Sequence, residues 1–108
     1  MADKYLVKPL PYAYDALSGI SKETNTFHHD KHYAGYVAKR NEIYEKLKSS
    51  DRSKSNANYS EFGELKRRET FNANGQVLHE LFWEVLGGNG KPNGELVVKK
   101  IEADFGSI

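Results

Sequence analysis

The sequence predicts an all-α fold: a long antiparallel helical hairpin, a short third helix and an extended N-terminal arm. Three observations predict it. Residues 21–48 and 61–86 are long stretches free of proline, and all three prolines (Pro9, Pro11 and Pro92) fall outside them. Cap-forming residues stand at their ends, with Ser21 and Ser60 before them and Gly87-Gly88 after the second. No segment carries the two-residue alternation of a strand, and no internal repeat is present.

The arm, residues 1–20, holds Pro9 and Pro11, each of which pushes its predecessor towards extended geometry, and tyrosines at 5, 12 and 14. It is expected to lie over the helices with its rings as adhesive. Ser18, Gly19 and Ser21 supply turn and capping chemistry for helix 1, residues 21–48, whose last turns carry Lys46 and Lys48 where the helix dipole favours cations. A polar loop, Ser49 to Ser60, leads to helix 2, residues 61–86. A tight connection through Pro92 precedes helix 3, residues 95–105, apolar at Leu96, Val97, Ile101 and Phe105 and closed by Gly106. The 108 residues suit a single domain.

Composition narrows the function. Leu, Ile, Val and Phe number only 24 of 108 residues, while charge is nearly balanced at +1. The chain is therefore expected to be ordered but poorly supplied for a core, and to associate with a partner. The absence of cysteine excludes disulfides, thiolate metal sites and cysteine nucleophiles. A pI near 7.9 gives no reason to expect nucleic acid, and Lys66-Arg67-Arg68 reads as a solvated helix face. No run approaches membrane-spanning length, and Met1 to Lys8 lacks an apolar signal region. A soluble cytoplasmic chain is the expectation.

Two helix faces carry chemistry. At about 100° per residue, His28, His32 and Tyr36 fall near 0°, 40° and 80°, with Gly35 on the same side and Ile43 and Leu47 continuing the face as core. On helix 2, taking His79 as origin, Asn72, Trp83 and Gln76 fall at about 20°, 40° and 60° and Gly75 at about 320°, with Phe71, Leu78, Phe82 and Val85 as flanking core. Glycine beside histidine on both faces allows close approach of a neighbouring helix or bound group. Packed together, the faces bring His28 and His79 into one enclosed site ringed by His32, Tyr36 and Trp83, with His29 peripheral. The spacing alone leaves two readings open: a metal half-site, or hydrogen-bonded core imidazoles.

Several metal and nucleophile patterns are excluded. A His-Glu-x-x-His zinc site fails because Trp83 stands where the second histidine is needed. Di-iron Glu-x-x-His pairs fail because Asn25 and Gln76 precede the histidines by three. No serine lies in a nucleophile-elbow pattern.

The motifs LPYAYDAL (Leu10 to Leu17), FHHDKHYAGYV (Phe27 to Val37), FNANGQVLHELFW (Phe71 to Trp83) and IEADFGS (Ile101 to Ser107) resemble, in order, the N-terminal helical-hairpin domain of the iron/manganese superoxide dismutases. The resemblance covers essentially the whole chain. It implies dismutation of superoxide to oxygen and hydrogen peroxide, with one Mn or Fe ion cycling between two valences. It implies His28 and His79 as metal ligands, and His32 and Tyr36 as the pair lining substrate access and the proton relay. Trp83 and Phe82 would form the aromatic shell around the metal.

The same resemblance marks departures. The family's remaining ligands, an aspartate and a third histidine, come from an Asp-x-Trp-x-His segment of a C-terminal α/β domain, and these 108 residues contain none. Tyr33 stands where many relatives carry histidine, with little effect expected. Gly75 stands where iron-type relatives often place glutamine, and glycine there resembles the manganese-type or metal-flexible arrangement. The chain is therefore expected to be inactive alone and to pair with its missing domain or with a second copy. As an alternative function, two hairpins would form a four-helix bundle, an assembly or metal-binding module holding up to four imidazoles, two copies each of His28 and His79. A third reading is a structural fragment with empty histidines.

Overall fold

The computed structural model describes residues 3–108, so Met1 and Ala2 of the predicted arm lie outside the described residues. Helix 1 is continuous but not uniform. It opens as α1 (Lys22–Thr26), where Ser21 Oγ accepts the Thr24 amide at 3.1 Å, and widens into a π-helical segment over Phe27–Tyr33. It then resumes as α2 (Ala34–Ser49). A uniform α-helix does not describe this stretch. The Ala34 amide reaches back five residues to the His29 carbonyl, so rotation per residue is smaller than 100° where the histidines lie.

A short 3-10 turn, Arg52–Lys54, crosses to α3 (Glu61–Glu84). The buried hydroxyl of Ser60 caps α3 by accepting the Gly63 amide at 3.0 Å. Helix α4 (Glu95–Phe105) closes at Gly106, whose φ of 85° is left-handed. The fold class is all-α, and no strand occurs among the described residues. Pairings across the hairpin run oppositely: Tyr33 meets Glu80, Tyr36 meets Phe71, and Ile43 lies by Leu65, so the two long helices are antiparallel.

The arm lies along the hairpin seam. Asn41 clamps the Tyr5 backbone, accepting its amide at 2.9 Å and donating to its carbonyl at 2.8 Å. Tyr12 donates to the Trp83 carbonyl at 3.1 Å and Tyr14 to Asp30 at 2.6 Å. The core is small: Tyr33, Val37 and Trp83, with Tyr5, Leu10 and Tyr12 of the arm packed against it.

Most of the predicted α3 core is not core. Phe71, Leu78 and Val85 are 55%, 63% and 78% exposed, and Phe82 is 40% exposed. The hairpin buries one stripe of α3, Asn72, Gln76 and Trp83, and has no layer to set against the flanking apolar residues. Leu96, Val97 and Phe105 on α4 are exposed likewise. The radius of gyration, 19.5 Å, exceeds the roughly 13 Å of a compact chain of this length. The accessible surface is 8236 Å², against about 6,100 Å² for a compact monomer of this mass.

Candidate metal centre

The π segment and the middle of α3 bring three imidazoles together. Ring centroids lie 4.8 Å apart for His28 and His79, 5.1 Å for His32 and His79, and 5.9 Å for His28 and His32. Tyr36 stands 5.1 Å from His32 and 5.3 Å from His79. Trp83 lies 5.1 Å from His28 and 5.7 Å from His79, and Phe82 lies 5.6 Å from His28. All six residues singled out in the sequence therefore gather in one cluster. Trp83 is buried, His28, Tyr36 and His79 are half-buried, and His32 and Phe82 are exposed. The cluster is not enclosed: Thr24, Phe27, His28 and His32 line a shallow open depression, because nothing in the hairpin covers that side.

His79 is held by its own helix. Its Nδ1 lies 2.6 Å from the Gly75 carbonyl. A carbonyl only accepts, so Nδ1 carries the proton and Nε2 keeps the lone pair a metal needs. Burial, then the His79 and His32 rings, push the His28 pKa below its ordinary value and favour the neutral, ligating form. Imidazole nitrogen suits iron and manganese, so these two donors fit such an ion. No group of three or more His, Cys, Asp or Glu side chains able to hold a metal occurs among the described residues. Among the described residues the cluster therefore offers imidazole donors but no complete ligand set.

Behind the cluster, two buried residues do work that the sequence reading did not assign. His29, read as peripheral, is buried. Its Nε2 donates to the Lys8 carbonyl of the arm at 2.6 Å and its Nδ1 faces the neighbouring Asp30 carboxylate at 2.7 Å, so both nitrogens are occupied. Hydrogen bonds from Tyr14 and His29 hold the Asp30 carboxyl below its usual range. Tyr33, noted in the sequence only as standing in place of histidine, is wholly buried. Its hydroxyl accepts the Lys8 amide at 3.0 Å and donates to Glu80 at 2.8 Å. Burial raises Glu80, but donors from Tyr33 and Gln76 and the Lys8 ammonium outweigh it, leaving the pKa lowered. Gln76 in turn accepts from Arg40 at 3.0 Å. This network fixes the helix register that sets the histidines opposite one another. The only signal for it in the sequence was the polar pair Gln76 and Glu80 one turn apart beside His79.

The glycines differ. A Cβ added to Gly35 would meet nothing within 4 Å, so the predicted close approach there is absent. Gly75 is the opposite case, with the Tyr36 ring pressed against it.

Comparison with known proteins shows the family to which the hairpin belongs. Residues 4–87 match the family profile described as iron/manganese superoxide dismutases, alpha-hairpin domain. A superoxide dismutase [Fe] of Aquifex aeolicus (strain VF5) is 55% identical over 97 residues, covering 85% of this chain and 45% of that protein. Superoxide dismutase [Mn] 2 of Haloferax volcanii is 40% identical over 109 residues, covering 95% of this chain and 51% of its own. A superoxide dismutase [Fe] of Pyrobaculum aerophilum is 37% identical over 110 residues, covering 97% and 50%. The chain spans about half the length of the curated relatives it matches. Among the described residues no helix is long and apolar enough to cross a membrane. The chain belongs to the iron/manganese superoxide dismutases and carries their α-hairpin domain.

Proposed function

We propose that this chain supplies half of a superoxide dismutase centre, with His28 and His79 as two ligands to one iron or manganese ion and the remaining ligands contributed by a partner polypeptide segment. The observation that carries the reading is the pair of facing imidazoles 4.8 Å apart, one of them fixed with its Nε2 lone pair free. When bound, the ion would supply one-electron exchange with superoxide. The chain's own residues would do the rest. His28 and His79 would bind, while His32, at the open side, and Tyr36 packed beside it would line the approach of the small anion and serve the proton relay to the peroxide product. Trp83 and Phe82 exclude water from one flank. The reaction consumes two superoxide ions and two protons and gives oxygen and hydrogen peroxide. Two ligands cannot hold the ion firmly through both valences, so the chain alone is expected to show negligible dismutation.

Reconstitution tests this. The part of the Aquifex aeolicus relative that this chain does not match is mixed with this chain and manganese or iron. Activity is expected from the complex and is lost on His28→Ala or His79→Ala. A stable, metal-loaded complex without activity, or robust activity from the chain alone, would refute the reading.

One observation favours a second reading. The surface is about 2,100 Å² larger than that of a compact monomer, the size of one chain's share of a large obligate interface. A second copy meeting it through Phe71, Leu78 and Phe82 would form a four-helix bundle able to hold metal or assemble without dismutase activity. Light scattering separates the two: a monomer at every metal concentration excludes the bundle.

A further inference from the structure

Gly75 sits in the interior of α3, a position where glycine weakens a helix relative to alanine. Its neighbourhood explains its presence. A Cβ there would stand 2.5 Å from Cγ and 2.6 Å from Cε1 of Tyr36, and nearer still to Cδ1. The obstacle is the body of an aromatic ring, not the tip of a flexible chain. That ring is also boxed by His32 at 5.1 Å, His79 at 5.3 Å and Phe71 at 5.7 Å, so it cannot tilt aside without leaving His79. No other helical glycine has this role. Gly35 meets nothing, and Gly63 meets only its own capping hydroxyl. Gly75 also holds the other side of the pair, since its carbonyl accepts from His79 Nδ1.

We infer that Gly75 is a positioning residue of this centre: its bare Cα seats the Tyr36 phenol and its carbonyl orients the His79 imidazole, so one helical residue sets their separation. The purpose assigned to that separation, a proton-holding phenol beside a ligand, rests on the proposed function. The placement itself does not.

The test is a double-mutant cycle in this chain without metal: Gly75→Ala, Tyr36→Ala and the pair. Gly75→Ala is expected to lower the thermal midpoint when Tyr36 is present. In the Tyr36→Ala background the same change is expected to raise it, since the clash is gone and alanine favours helix. Proton NMR supplies a positional readout. Cross-peaks from the Tyr36 ring to Gly75 Hα and to the His79 ring are expected in the parent. In Gly75→Ala those to His79 weaken several-fold while the His79–Trp83 cross-peaks persist. Should Gly75→Ala fail to fold, recovery of folding in the double variant supports the inference and failure of both overturns it. A midpoint change of the same sign in both backgrounds, or unchanged Tyr36–His79 cross-peaks, also overturns it. None of these readouts depends on metal, so loss of the dismutase reading would leave them standing.

Discussion

Tyr33→Phe separates the hydroxyl of the buried tyrosine from its ring. The ring fills the centre of the small core and is fully buried, so phenylalanine preserves packing. The hydroxyl is lost from between the Lys8 amide at 3.0 Å and Glu80 at 2.8 Å. A hydrogen bond to a charged group contributes about 1.5–3 kcal/mol and one to a neutral amide about 1. The amide is near the surface and Glu80 retains Gln76, so a loss of about 2–3 kcal/mol at neutral pH is expected. The effect has a pH signature. Burial pushes the Tyr33 pKa up to about 12, opposed by the Lys8 amide and reinforced by Glu80. A folded-state pKa above the unfolded value means the stabilisation is complete below about pH 10 and is lost as pH rises towards 12. Two pKa units correspond to about 2.7 kcal/mol, roughly half of it gone by pH 11. Urea unfolding followed by circular dichroism at pH 7, 9 and 11 measures both effects. Destabilisation below about 0.5 kcal/mol at pH 7, or a parent–variant gap unchanged between pH 9 and 11, would refute the reasoning.

Further outcomes follow from the same contacts. Asn41→Ala removes both clamps on the Tyr5 backbone, about 2 kcal/mol in all, and is expected to accelerate chymotryptic cleavage at Tyr5 while α3 stays protected. Ser60→Ala removes the α3 cap and is expected to lower stability by about 1 kcal/mol in urea titration. Glu42 is held down to about 2 by hydrogen bonds from Lys39 and Lys46 and by their charges. Whatever stability this contributes is complete only above the ordinary carboxyl value of 4.5 and is lost progressively as pH falls from there to about 2. Its carboxyl carbon is expected to titrate below pH 3 by NMR. Because the site is on the exposed face of α2, Glu42→Gln is expected to leave the urea midpoint almost unmoved in physiological salt.

The helical class was legible because local chemistry announces it. Ser21 and Ser60 cap the helices they precede, and the prolines stand outside the long helices. The convergence of His28 and His79 followed from facing stripes on two antiparallel helices. The rest depended on contacts distant in sequence. His29 is buried under the arm, where the Lys8 carbonyl, 21 residues earlier, accepts a hydrogen bond from its Nε2. Tyr33 matters because its partners come from the arm and from α3. The π segment has no signature in residue type, and its wider turns shift every side chain that a uniform 100° step would place. Phe71, Leu78 and Val85 show a different limit. Periodicity reveals that a residue seeks an apolar partner, but not whether that partner is in the same chain.

The most direct test of a two-imidazole half-centre is manganese(II) binding followed by electron paramagnetic resonance, comparing the parent chain with His28→Ala, His32→Ala and His79→Ala. One ion per site is expected in the parent and in His32→Ala, and binding is expected to vanish in the other two. Equal binding by all four proteins would contradict the account, as would loss of binding in His32→Ala alone.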